Sequence, residues 1–142
     1  TREFAYLINE LHSTVTVFKW DPQSGNLTEI QEIDAIPHKV SNTSADIHVH
    51  PSGDFVYGSN RGHNSIVVYR VLPDGKLDPV KYQSTKGTCP RNLALDPTGK
   101  YLYAENQTSD TVVIFTVESP TGSLSPTGDE LSVPKPVCLK FV

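Results

Sequence analysis

The 142-residue chain contains no methionine, a single tryptophan and two cysteines, and carries only 12 Lys and Arg against 16 Asp and Glu. The excess of acid, a net charge of −4, argues against a nucleic-acid surface, and no Lys/Arg cluster works against that reading. No apolar run approaches the roughly 18 residues of a membrane-spanning helix, so no membrane partner is expected. Cys89 and Cys138 match no metal or redox spacing. They are expected to be free thiols in a reducing, cytoplasmic compartment. No Gly-x-Ser-x-Gly elbow, His-Glu-x-x-His, Cys-x-x-Cys or phosphate-cradling glycine loop is present. Nucleophilic triads, metals and cofactors are therefore unsupported. A first residue Thr1, with no methionine anywhere, suggests a processed or partial chain.

What is present is a repeat. "FAYLINELHSTVTVFKW" (4–20), "FVYGSNRGHNSIVVYRV" (55–71) and "YLYAENQTSDTVVIFTV" (101–117) align without a gap. Asn9, Asn60 and Asn106 fall in one column, 51 and 46 residues apart. "HPSGDF" (50–55) matches "DPTGKY" (96–101), and a later turn repeats through Gly25, Gly75 and Gly122. Each unit reads as four short strands: an inner strand such as 46–50 or 92–96, a Tyr/Phe-rich strand, a β-branched strand after a polar hairpin tip, and an outer strand. No useful 3.6-residue apolar period supports a helix. Four-stranded units at this period predict an all-β propeller of antiparallel blades, with about three blades present. Blade units are expected at 1–44, 45–89 and 90–135. The first lacks its inner strand, and "PVCLKFV" (136–142) aligns with "PRNLALD" (90–96) as an inner strand without a blade. Three blades cannot close a ring, so the propeller needs either further blades or head-to-tail self-association.

Phasing puts the hairpin tips and the starts of the inner strands on one face, around the mouth of the central channel. Glu10, Arg61 and Gln107 share a column there, and its chemistry changes from blade to blade as a ligand-facing position would. Arg91 aligns with Ala45 and Val137, so no blade requirement explains it. His48 is placed deeper on an inner strand, either packed or catalytic. The repeated asparagines Asn9, Asn60 and Asn106 read as local caps of the hairpin turn. Gly62 is expected at positive φ, His12 and His63 in exposed turns, and Trp20 in packing contacts.

The motifs "AYLINELHSTVTVF", "ADIHVHPSGDFVYGSNRGHNSIVVYRV", "CPRNLALDPTGKYLYAENQTSDTVVIF" and "VPKPVCLKFV" resemble the lactonase family of seven-bladed β-propellers, that of the cycloisomerase-like 6-phosphogluconolactonases. The resemblance covers nearly the whole chain and follows the C-terminal order of the family. It implies hydrolysis of 6-phospho-glucono-1,5-lactone in the pentose phosphate pathway. Carboxymuconate-type cycloisomerisation and a non-catalytic binding propeller are the alternatives. It places Glu10, Arg61 and Arg91 in the channel-mouth set. The catalytic candidates are Glu10, Arg61, Arg91 and His48, and Asn60, Asn106 and Gln107 are the substrate-binding candidates. An anionic lactone suits arginine, which holds phosphate or carboxylate through paired charge-assisted bonds. Roughly four N-terminal blades of the family pattern are missing, among them a histidine proposed for catalysis.

Overall fold

A computed structural model describes residues 3–142 as eleven strands in three antiparallel sheets. The first sheet comprises β1 (Phe4–Asn9), β2 (Thr14–Trp20) and β3 (Leu27–Asp34). The second holds β4 (Thr43–Val49), β5 (Phe55–Arg61), β6 (Ser65–Val71) and β7 (Leu77–Ser84). The third holds β8 (Pro90–Leu95), β9 (Tyr101–Asn106), β10 (Thr111–Val117) and β11 (Leu124–Ser132). Each is an up-and-down blade in chain order, and the first lacks an inner strand, as the repeat predicts. The inner strands β4 and β8 begin two to three residues earlier than their apolar cores suggest. Both stop before the Pro-Ser/Thr-Gly turns that return the chain to β5 and β9.

The blades stack face to face, which accounts for the strand patterns. One core lies between the second and third sheets and joins Tyr57 and Val68 to Leu93, Leu102, Ala104 and Phe115. The other lies between the first and second and joins Val56, Val67 and Tyr69 to Val15 and Val17. Neighbouring residues Val56 and Tyr57, like Val67 and Val68, thus serve opposite cores through the two-residue period of a strand. Strands β5 and β6 are covered on both faces, so they read as continuous apolar runs. Trp20, expected to pack, is 39% exposed at the end of β2, where no blade covers it.

An aromatic clasp joins each blade to the next. The Tyr6 hydroxyl donates to the Gly75 carbonyl at 3.0 Å, and the equivalent Tyr57 donates to Gly122 at 2.9 Å. The Phe4 and Phe55 rings lie against the same two glycines. A Cβ at Gly75 or Gly122 would come within 2.2 or 2.4 Å of those rings. Both glycines also have positive φ, so the turn and the close approach require the same residue.

Residues 136–142, expected as an inner strand, form no ladder among the described residues because no strand lies beside them to pair with. Their placement nevertheless follows the repeat. The Asp46 carboxylate accepts the Leu93 amide 47 residues on, and the Asn92 side chain accepts the Leu139 amide, also 47 residues on. Phe141 packs on Tyr103 with ring centroids 5.2 Å apart.

Candidate functional site

Hairpin geometry fixes the tip face. The fourth residue after each repeated asparagine, Ser13, Asn64 or Asp110, takes positive φ and turns the chain. Asn and Asp tolerate that conformation better than most residues, and all three side chains tie the turn to distant segments, Ser13 to Asn42, Asn64 to the Cys89 amide and Asp110 to the Lys135 amide. Gly62 also has positive φ, as predicted, and a Cβ there would lie 2.3 Å from the Ser41 carbonyl. His63, expected to be exposed, is half-buried, with its ring bonded to Ser65 Oγ at 2.7 Å.

The repeated asparagines act differently from the expectation. Asn60 is fully buried and donates through Nδ2 to the Ala35 carbonyl of the preceding blade at 2.6 Å. Its Oδ1 accepts from Ser44 Oγ at 2.8 Å and from Asn42. Asn106, also fully buried, donates to the Thr85 carbonyl of its preceding blade at 3.2 Å. Both tie one blade to the next, and burial puts their side chains below the face a ligand would touch. Local bonds across the hairpin, as expected of a turn cap, are made by Asn9 to Thr14 and Thr16 and, at 3.5 Å, by Asn106 to Thr111.

Of the predicted ligand-facing residues, the structure joins two. Arg61 ends β5 and Glu10 follows β1, and the Arg61 Nη2 donates to Glu10 Oε1 across the boundary between the first two blades. The same nitrogen donates to the Ser44 carbonyl at 3.0 Å. The arginine side chain is 15% exposed and the glutamate 59%, so the guanidinium is held in place while the carboxylate meets solvent. Arg61 Nε is buried without a partner, leaving one donor of the guanidinium unused. Such a pair offers an anion-binding group beside a carboxylate that can accept a proton.

Arg91, His48 and Gln107 do not bond to this pair. Arg91 is exposed at the start of β8, and its side chain makes no hydrogen bond or ion pair among the described residues. Gln107 is half-buried, its amide bonded to the Cys89 carbonyl at 2.9 Å and its Oε1 facing Cys89 Sγ at 3.7 Å. His48 on β4 is bonded through Nε2 to Asp46 Oδ2 at 3.0 Å.

Two residues at the inner strands were not among the candidates from sequence. Asp46 collects the His48 ring, the Asn92 side-chain amide and the Leu93 backbone amide on one carboxylate oxygen. Burial works to raise this carboxyl, but His48 and the backbone amides of Leu93 and Ile47 outweigh it and hold the carboxyl below its ordinary value. Glu105, on β9, is 1% exposed and has no hydrogen-bond partner on either carboxyl oxygen. Burial first, and then the charge of Asp46, push it up to about 7, against the opposing pull of Lys140, His48 and the Leu139 amide. Both residues carried a signal in the repeat. Asp46 stands where the other inner segments have Asn92 and Cys138, and Glu105 where the other hairpins have Ile8 and Ser59.

A groove of about 470 Å³ runs between the second and third blades at the opposite end of the strands, lined among others by His50, Phe55, Arg70, Lys100 and Glu118. It contains none of the predicted site residues.

The family model described as "Lactonase, 7-bladed beta-propeller" matches residues 1–141. The chain belongs to the lactonase family of seven-bladed β-propellers. Among the family's curated proteins, the 6-phosphogluconolactonase of Bacillus subtilis strain 168 is 39% identical to this chain over 143 residues, covering 99% of the chain and 41% of that protein. A solved structure from Lactobacillus plantarum superposes with a TM-score of 0.92 at 34% identity, over 96% of this chain and 40% of that one. The periplasmic gluconolactonase PpgL of Pseudomonas aeruginosa gives a TM-score of 0.91 at 33% identity, over 99% and 39%. The chain therefore spans about two fifths of the length of these lactonase-family relatives.

Proposed function

We propose that the protein carrying this chain hydrolyses 6-phospho-glucono-1,5-lactone to 6-phosphogluconate, as an enzyme of the pentose phosphate pathway. The observation that carries the reading is the Arg61–Glu10 pair, which joins two blades at their hairpin tips in a lactonase-family chain. The 6-phosphogluconolactonase name of a relative 39% identical supports the substrate class. In this reading Glu10 takes a proton from the attacking water, and the hydroxide adds to the lactone carbonyl. Arg61 stabilises the oxyanion that develops there, and Arg91 holds the anionic end of the substrate. His48, oriented by Asp46, carries a proton toward the departing ring oxygen. Gln107 bonds a substrate hydroxyl, and Asn60 and Asn106 position the hairpins from below. The remaining blades, or a second copy of the chain joined head to tail, complete the channel wall. The reading uses no metal or cofactor. Its compartment is the cytoplasm, an assignment supported by the two free cysteines and tested by cell fractionation.

The test is lactone hydrolysis by the full-length protein. Arg61→Ala and Glu10→Ala are each expected to lower kcat/KM by about 10²- to 10³-fold with the folded spectrum retained. Turnover that survives both substitutions removes these residues from the chemistry. A folded wild type with no turnover would replace the enzyme with a ligand-binding propeller.

A further inference from the structure

The entry to β4 bonds to both of the hairpins that carry Glu10 and Arg61. Asn42 Nδ2 donates to Ser13 Oγ at 2.9 Å, on the hairpin of Glu10, and to Asn60 Oδ1 at 3.3 Å. Asn42 Oδ1 accepts the His63 amide at 3.0 Å, so its bonds to the second hairpin fall on either side of Arg61. Backbone groups with a single role orient these side-chain amides. The Ala35 carbonyl can only accept, which turns Asn60 Nδ2 toward it and leaves Asn60 Oδ1 for Asn42. The His63 N–H can only donate, which orients Asn42 in the same sense. Two residues on, the Ser44 amide donates to the Glu10 carbonyl at 2.9 Å, and the Ser44 carbonyl accepts from Arg61 Nη2 at 3.0 Å. The entry to β8 has Thr88 in the Asn42 column and Pro90, which has no amide proton, in the Ser44 column. Neither bonds to the tip of the second blade among the described residues, so the arrangement is not a requirement of every seam.

We propose that Asn42 is a positioning residue: it clamps the hairpin of Arg61 to that of Glu10 and so sets the guanidinium against the carboxylate and the substrate. The proposal rests on the reading in which these two groups act on the lactone. An arginine is a planar donor group on a long stem, and its hold on a developing oxyanion depends on where that group is fixed. The Glu10 side chain is 59% exposed and makes its one hydrogen bond among the described residues to Arg61, so its order derives from the arginine. Arg61 in turn is ordered by the Ser44 carbonyl and by the hairpin that Asn42 grips on both sides of it. Gly62 lets that hairpin seat directly on the Ser41 carbonyl. Without the Asn42 side chain the hairpin keeps its ladder to β4 and β6 but loses three bonds at its tip. Because Arg61 and Glu10 act on charge that develops in the transition state, loosening them lowers kcat more than it raises KM.

Steady-state kinetics and side-chain nitrogen NMR of the full-length protein test this together. Asn42→Ala should lower kcat for the lactone on the order of 10- to 100-fold, with KM within about threefold of the wild type. In an Arg61→Ala background the same change should add less than about threefold, because the group it positions is gone. In the wild type the Arg61 Nη1 and Nη2 resonances should be separate, since Glu10 and Ser44 hold one side of the guanidinium, and in Asn42→Ala they should merge. An unchanged kcat, a loss confined to KM, or full additivity with Arg61→Ala overturns the clamp. So do Nη signals merged in the wild type, or still separate in Asn42→Ala. A folded wild type without turnover removes the lactone reading alone, and the Nη signals then decide the clamp. Should Asn42→Ala not fold, Ser13→Ala, which removes the arm to the first hairpin, takes its place under the same Nη criteria.

Discussion

Asn60 shows how a repeated residue acquires its role from the neighbouring blade. Its side chain satisfies the Ala35 carbonyl and the Ser44 hydroxyl inside protein, where neither can turn to water. Asn60→Ala leaves these groups without partners and is expected to cost about 2–3 kcal/mol. Asn9→Ala, which frees only threonine hydroxyls on its own hairpin, should cost under about 1 kcal/mol. Urea midpoints of the two variants check the contrast. The asparagine column is legible in the sequence, but its partners are not. Ala35 lies 25 residues from Asn60, and no local pattern links a side-chain donor to a backbone carbonyl at that distance. Arg61 and Glu10 are legible because their column changes chemistry, and their contact follows from placing adjacent hairpin tips on one face. The columns of Asp46 and Glu105 change chemistry too, but that signal is masked, because alternation within a β-strand speaks to packing and a carboxylate there is expected to point to water.

At the level of elements, the strand ladders follow from alternation and turn residues, and the glycine turns from their repeat. The sequence cannot separate the two demands on those glycines. Gly25 and Gly122 both have positive φ, but a Cβ at Gly25 meets nothing within 4 Å, while one at Gly122 meets the Phe55 ring. Gly25→Ala should therefore cost about 1 kcal/mol, the price of the left-handed conformation alone. Gly122→Ala should cost about 2–4 kcal/mol, because the ring of a buried phenylalanine must also move. Thermal or urea unfolding of both variants distinguishes a turn from a turn that is also a packing surface. The segment 136–142 is the opposite case. Alignment identifies its phase, but strand structure is a property of a pair, and the chain offers it side-chain anchors in place of a partner strand.

For the molecule as a whole, the stack is polar: each blade reaches forward with a tyrosine to the glycine turn of the next. Tyr57→Phe removes the hydroxyl donor to Gly122 and is expected to destabilise the chain by about 1–2 kcal/mol. Tyr103 occupies the same column, but its hydroxyl has no hydrogen-bond partner among the described residues, so Tyr103→Phe should leave the urea midpoint of this chain unchanged. A loss of similar size in both variants would contradict a directional clasp. The chain separation of the clasps has a consequence for synthesis. Tyr6 and Gly75 are 69 residues apart, and Tyr57 and Gly122 are 65. At roughly 5–20 residues per second, a ribosome delivers each glycine turn about 3 to 14 s after the aromatic pair that will grip it. Throughout that interval Phe4 and Tyr6, and later Phe55 and Tyr57, are without their forward partners. A nascent blade of this fold therefore spends seconds with one aromatic face unclaimed, and that face is where a chaperone or a neighbouring polysome product would first find it.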